Sequence, residues 1–211
     1  MKLTRELISS ALAVLVFTVL LGVAYPLVVT GVSQAVWPNK SDGSLIRQNG
    51  KVVGSKLLAQ PFVIDTGKKD KAGNAITRPN PKYFQPRPSQ SGYNAAGTFF
   101  SNRGPNQASA TFFYRDQLAA YLALERPFDR GLTAAAVPVD AVTTSASGVD
   151  PHISQANARI QAHRVAAVRH LPLPTVQRLI DDHTDNRSLG VLGEAGVNVT
   201  TLNLALDAAH A

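Results

Sequence analysis

The sequence predicts an α+β protein: one N-terminal transmembrane helix followed by a single soluble mixed α/β domain. Three observations lead there. The stretch Leu7–Thr30 carries no charged side chain. An Asn49-Gly50 pair separates two short runs of strand-forming residues. Further on, helical stretches alternate with short β-prone runs and with clusters of proline and glycine.

The apolar stretch comes first. Its 24 residues would reach roughly 36 Å as a helix, enough for a hydrocarbon core about 30 Å thick. Pro26 would break the hydrogen-bond ladder of a soluble helix, whereas a membrane helix can re-satisfy the freed carbonyl locally, so a kink is expected at Tyr25-Pro26. Tyr25 and Trp37 suit the membrane-water boundary. A cleaved secretory signal is the competing reading, with Lys2 and Arg5 as its basic start and Ser33-Gln34-Ala35 as a cleavage site. Signal cores run about 7 to 15 residues, so the length favours an uncleaved anchor. The predicted organisation is a cytoplasmic tail over 1–6, a transmembrane helix over 7–30 and an extracytoplasmic, periplasmic domain over 31–211.

Ser44–Gly54 reads as a β-hairpin, because Asn49-Gly50 supplies the positive φ angles of a type I′ turn. The polar stretch 65–78 reads as a solvated loop. From Pro79 to Gln107 the chain is rich in proline, glycine and asparagine, yet Tyr83, Phe84, Tyr93, Phe99 and Phe100 sit among them. That many aromatics predict an ordered loop pinned by its rings. Residues 108–124 are helical, with Phe113, Gln117, Ala120, Tyr121 and Leu124 on one face, and Pro127 ends the run. A short strand is expected over 137–142. The turn-rich segment 145–154 feeds a helix to about Arg169, capped by Ser154 and burying Ile153, Ala156, Ile160, Ala167 and Val168. A helix over about 175–183, a strand over 197–199 and a last helix over 200–208 follow.

The net charge is +7 and there is no cysteine. Disulfides, thiolate metal sites and cysteine nucleophiles are therefore excluded. The basic residues are scattered without interleaved aromatics, which speaks against nucleic acid and for a lipid bilayer or an acidic protein surface as partner. No phosphate-binding G-x-x-x-x-G-K-[ST] or G-x-G-x-x-G motif is present, so no cofactor is expected to bind independently. Asp65-Thr66-Gly67-Lys68 only faintly resembles a phosphorylated-aspartate loop. Asp181, Asp182, His183 and Asp185 offer metal ligands at helix spacings that diverge, which fits a solvated helix end better. Ser145 or Ser147 with Asp150 and His152 suggests a membrane-anchored periplasmic hydrolase, but the G-x-S-x-G elbow is missing.

The strongest signal lies in the order of several blocks. Tyr25-Pro26 in the anchor, Gly43-Ser44-Leu45-Ile46, Val53-Gly54-Ser55 through Gln60 and Phe62, and Tyr83-Phe84-Gln85-Pro86-Arg87-Pro88-Ser89 come first. Ser145 to Ser154, Gln161 with Arg164-Val165-Ala166, and Asn198-Val199 to Asp207 follow. In this order the chain resembles the C subunit of the Kdp-type potassium-transporting P-type ATPase over nearly its whole length. Thr98–Asn106, Phe112–Arg126 and Gly196-Val197 depart from the family pattern. The resemblance implies a non-catalytic subunit of a bacterial inner-membrane complex that imports potassium. Its implied partners are a channel-like potassium-binding subunit and an ATP-hydrolysing subunit, and a small membrane subunit is compatible with the same assembly. It also implies a catalytic chaperone that raises the ATP affinity of the hydrolysing subunit, with Gln161 at the matching helix position. ATP thus enters only through the partner subunit. An external domain cannot touch cytoplasmic ATP, so either the effect passes through the membrane subunits or the orientation is reversed.

Overall fold

The computed structural model describes residues 2–209. Met1, His210 and Ala211, at the outer ends of the expected tail and domain, lie outside the described residues. The chain forms two compact units, one up to Val53 and one from Gly54 onward.

In the first unit a helix runs through Lys2–Val36, long and apolar enough to cross a membrane. It comprises α1 (Lys2–Val19), a π-helical turn (Leu20–Ala24) and α2 (Tyr25–Val36), and none of its residues is buried. The Tyr25 N–H donates to the Leu20 carbonyl, five residues back. This widened turn is the local adjustment expected at Tyr25-Pro26: it sits just before the proline, whose ring would crowd a regular preceding turn. A short helical turn, α3 (Pro38–Ser41), leads to a hairpin of β1 (Leu45–Gln48) and β2 (Lys51–Ser55). Asn49 at φ 51° and Gly50 at φ 77° make the expected tight turn.

The second unit is built on a three-stranded antiparallel sheet with order β5 (His152–Ile153), β7 (Gly196–Asn198), β6 (Thr184–Asp185). Around it lie α4 (Ala108–Glu125), α5 (Gln155–Arg169), α6 (Leu173–Asp182) and α7 (Val199–Ala208). The core joins Phe84, Ile153, Val165, Val176, Ile180, Leu202 and Leu206, all essentially inaccessible. Two side-chain caps start helices as the sequence suggests: Ser154 Oγ accepts from Asn157 N–H and Asn198 Oδ1 accepts from Thr201 N–H.

Four expectations change. Residues 65–78 are not a loop but most of a hairpin, β3 (Val63–Lys69) and β4 (Ala75–Pro79), with a bulge between Asp65 and Lys68. Asp70 nucleates its turn by accepting from the N–H groups of Ala72 and Asn74, a local bond that polar composition alone does not reveal. Residues 137–142 form no strand. Two 3-10 turns, Ala134–Ala136 and Val139–Ala141, flank Pro138, which has no N–H to give a ladder. In the proline-rich loop Tyr83, Phe84 and Tyr93 pin the backbone, but Phe99 and Phe100 are exposed. On α5 the buried face is Asn157, Ala158, Gln161, Ala162, Arg164, Val165, Ala166 and Arg169, whereas Ala156 and Ala167 face solvent. Hydropathy periodicity misplaces the stripe because four polar side chains, Asn157, Gln161, Arg164 and Arg169, sit inside.

Candidate functional site

Those inward polar groups organise the segment that follows Pro81. Gln161 on α5 accepts from Gln85 N–H at 2.7 Å and donates to the Gln85 carbonyl at 3.1 Å. From α7, Asn203 treats Phe84 the same way, accepting its N–H and donating to its carbonyl, both at 2.9 Å. Two amide side chains thus pair with two successive backbone units, as a neighbouring strand would, and the Phe84 ring closes into the core between them. The Gln161 amide has further partners: its nitrogen donates to Asn157 Oδ1 and its oxygen accepts from Arg164. All its bonding capacity is used inside the protein.

Arg164 completes this clamp. Its Nε lies 3.0 and 3.1 Å from the two oxygens of Glu125 on α4, and its terminal nitrogens donate to the carbonyls of Pro81 and Tyr83 and to Gln161. Both members of the pair are buried, Arg164 fully. Burial pushes the Glu125 carboxyl up from the ordinary range, and the guanidinium opposes that shift. One turn on, Arg169 donates to the Lys82 carbonyl and to Asp207, whose other oxygen accepts from the Tyr83 hydroxyl. The Arg169 guanidinium also lies 4.7 Å over the Tyr83 ring.

Beyond Gln85 the segment meets the turn-rich stretch 145–154. Ser89 donates to the Gly148 carbonyl at 2.6 Å, and Arg87 donates to Thr143 and Thr144 and faces Asp150 at 3.6 Å. Gly148, at φ 74°, has no room for a side chain: a Cβ would stand 2.6 Å from Ser91 Oγ. The two most distinctive sequence blocks therefore form one surface. A cleft of about 470 Å³ opens there, lined by Arg87, Asp140, Asp150, His152, Asp185 and Glu194 among others. A narrower slot of about 170 Å³ lies between α4 and the loop, with Tyr121, Asn157 and Gln161 on its walls. Tyr121 donates to Asn157 at 2.8 Å, and burial raises its hydroxyl pKa far above the usual range.

The serines expected to flank a base do not reach one. Ser145 Oγ accepts from Gly148 N–H and Ser147 Oγ from Val149 N–H. The His152 ring instead lies between two carboxylates, Asp150 at 3.5 Å from Nδ1 and Asp185 at 2.9 Å from Nε2. The hydrogen bond to Asp150 raises the His152 pKa, and burial partly offsets it. Burial would lift the Asp150 carboxyl, but bonds from His152 hold it below its usual range. Of the suspected metal ligands only Asp185 joins this cluster. His183 turns toward Thr201, and burial lowers its pKa. Sequence reading gave no role to Glu125 or Asp140. Asp140 accepts from the Ser154 N–H and hydroxyl and from Asn157, so it ties the 3-10 turn to the start of α5. The alanine and valine spacing at 158, 162, 165 and 166 could have marked the inward face, and with it the polar residues alongside.

The K+-transporting ATPase c chain family model matches residues 7–208. A potassium-transporting ATPase KdpC subunit of Cereibacter sphaeroides is 44% identical over 199 residues, covering 94% of this chain and 95% of that protein. The proteins of the same description from Mycobacterium bovis and Mycobacterium tuberculosis are 42% identical over 205 residues, covering 96% and 98%. Matched over almost its whole length by both comparisons, the chain belongs to the KdpC family of potassium-transporting ATPase subunits.

Proposed function

We propose that this protein is the accessory, non-catalytic subunit of an ATP-driven potassium importer of the bacterial inner membrane. Residues 7–30 span the bilayer once, 1–6 form a cytoplasmic tail, and 31–211 form the periplasmic domain. The helix binds alongside a channel-like potassium-binding subunit, and the assembly includes the ATP-hydrolysing subunit, with a small membrane subunit compatible with it. The carrying observation is family membership over almost the full chain, and the helix whose apolar surface is wholly unburied within the chain supports it. As a catalytic chaperone the subunit raises the ATP affinity of its partner. Gln161 acts in this reading by holding the Phe84-Gln85 backbone, because its amide is already saturated by protein groups.

Tagged protein should co-purify with both large subunits from detergent-solubilised membranes. Absence of both from the pull-down would sink the assignment. In the assembled complex Gln161→Ala should raise the KM for ATP several-fold with a smaller change in kcat, and an unaltered KM would remove the chaperone part alone.

A further inference from the structure

The β3–β4 hairpin stands out because its residues from 65 to 79 are almost all exposed. An isolated two-stranded ribbon gains little from its own packing, so its sequence is free to serve a surface. Its register sorts the side chains. Ile64 pairs with Arg78 and Lys68 with Ile76, and residues directly opposite share a face, as do Ile76 and Arg78 two apart on one strand. One face therefore carries the exposed Ile76, the partly buried Ile64 and two cations and no acidic residue, with Lys71 in the adjoining turn. Asp65 pairs with Thr77 on the other face.

The hairpin's own carboxylates do not answer these cations. Asp65 accepts from Gly67 N–H, and Asp70 from the N–H groups of Ala72 and Asn74 and from the Asn74 side chain. Among the described residues no ion pair joins Lys68, Lys69, Lys71 or Arg78 to a carboxylate. A face that alternates β-branched apolar groups with unpaired cations matches the interfacial layer of an anionic bilayer, where the apolar groups enter the headgroup boundary and the cations meet phosphates. The same chain carries a helix able to cross a membrane, so such a surface is held at high effective concentration.

We infer that the β3–β4 hairpin is an arm that rests on anionic lipid, with Lys68, Lys71 and Arg78 on phosphates and Ile76 at the headgroup boundary. The inference depends on the N-terminal helix being embedded, and it goes beyond the subunit assignment.

The absence of cysteine allows a clean test. Full-length Ala72→Cys protein, carrying an environment-sensitive fluorophore at that turn position, is reconstituted in nanodiscs containing a headgroup-borne quencher. One set of discs is phosphatidylcholine alone and the other an equal mixture with phosphatidylglycerol. Quenching should be strong only with phosphatidylglycerol. It should fall by at least half when salt is raised from about 0.1 M to about 0.5 M, as the Debye length drops from about 10 Å to under 5 Å. It should fall likewise when Lys68→Gln, Lys71→Gln and Arg78→Gln are combined. Equal quenching in both lipids, or quenching indifferent to salt and to these changes, would overturn the arm. Quenching that requires co-reconstituted partner subunits would overturn it in favour of a protein contact. Failure of the chain to enter discs of either lipid would refute the embedded helix, and the arm with it.

Discussion

At the scale of single residues the domain depends on Arg164, a charge placed where hydropathy would put a leucine. Its nitrogens meet the Glu125 carboxylate, the Pro81 and Tyr83 carbonyls and Gln161. Removing one member of a buried pair strands the other. Arg164→Met should therefore destabilise the protein by about 3–5 kcal/mol, read as a shift in the urea midpoint of the solubilised chain. Adding Glu125→Leu should recover only part of that loss, because the two carbonyls still lack their donor. Full recovery would show that the charge pair, and not the backbone carbonyls, sets the cost. A second residue-scale prediction concerns pH. His152 has its pKa raised in the folded state above 6.5, so its contribution to stability is present below 6.5 and lost as pH rises through the raised value. Asp150 runs the other way: its pKa is lowered below 3.8, and its contribution disappears as pH falls through that lowered value. Arg87 faces the same carboxylate, and Asp185 the other ring nitrogen. Glu194 is paired with Arg187, and Asp140 with Ser154 and Asn157. His183, lowered by burial, adds an opposite slope as pH falls through 6.5, so the comparison must be between wild type and His152→Asn. The stability lost in the variant should be largest between about pH 4 and 6 and should shrink above pH 7. A difference constant across that range would refute the ion-paired histidine.

At the scale of elements, legibility followed the locality of the signal. The apolar helix, the Asn49-Gly50 turn, the Ser154 cap and the last helix were readable because neighbouring residues determine each of them. The β3–β4 hairpin was not, since its strands lack apolar alternation and its turn relies on Asp70 binding its own following backbone. The sheet strands β5 and β6 hold two residues each, too short for any period to register. In the candidate site the blocks around Tyr83–Ser89, Ser145–Ser154 and Gln161 were visible. Their mutual contact was not, because Gln85 and Gln161 meet across 76 positions of sequence. This arrangement makes its own prediction about a loop without regular structure. The Phe84 and Gln85 amides donate to buried side-chain oxygens, so they should exchange hydrogen as slowly as the amides in the middle of α5. Exchange as fast as at Lys71 and Ala72 would mean that the clamp opens freely and cannot position the segment.

At the scale of the whole molecule the proposed periplasmic placement makes the last prediction. Lys2 and Arg5 precede the apolar stretch, and Lys40 and Arg47 follow it. The positive-inside bias counts short flanks near the membrane and is weak for a large domain, which translocates largely regardless of charge. The helix over Lys2–Val36 is 35 residues long, about 52 Å at the α-helical rise, so once embedded as proposed it would tilt in, or emerge from, a core about 30 Å thick. Tilting and emerging both fit either orientation, so chemical labelling is the test of the proposed placement. Ala156 faces solvent on α5, and the chain has no cysteine of its own. Ala156→Cys is thus a single, accessible thiol. In intact spheroplasts it should react with a membrane-impermeant maleimide as completely as after lysis, placing the domain outside. Protection until lysis would put the domain in the cytoplasm. That result would overturn the proposed placement, and the proposed chaperone role would then have the domain and ATP in one compartment, with no transmission through membrane subunits.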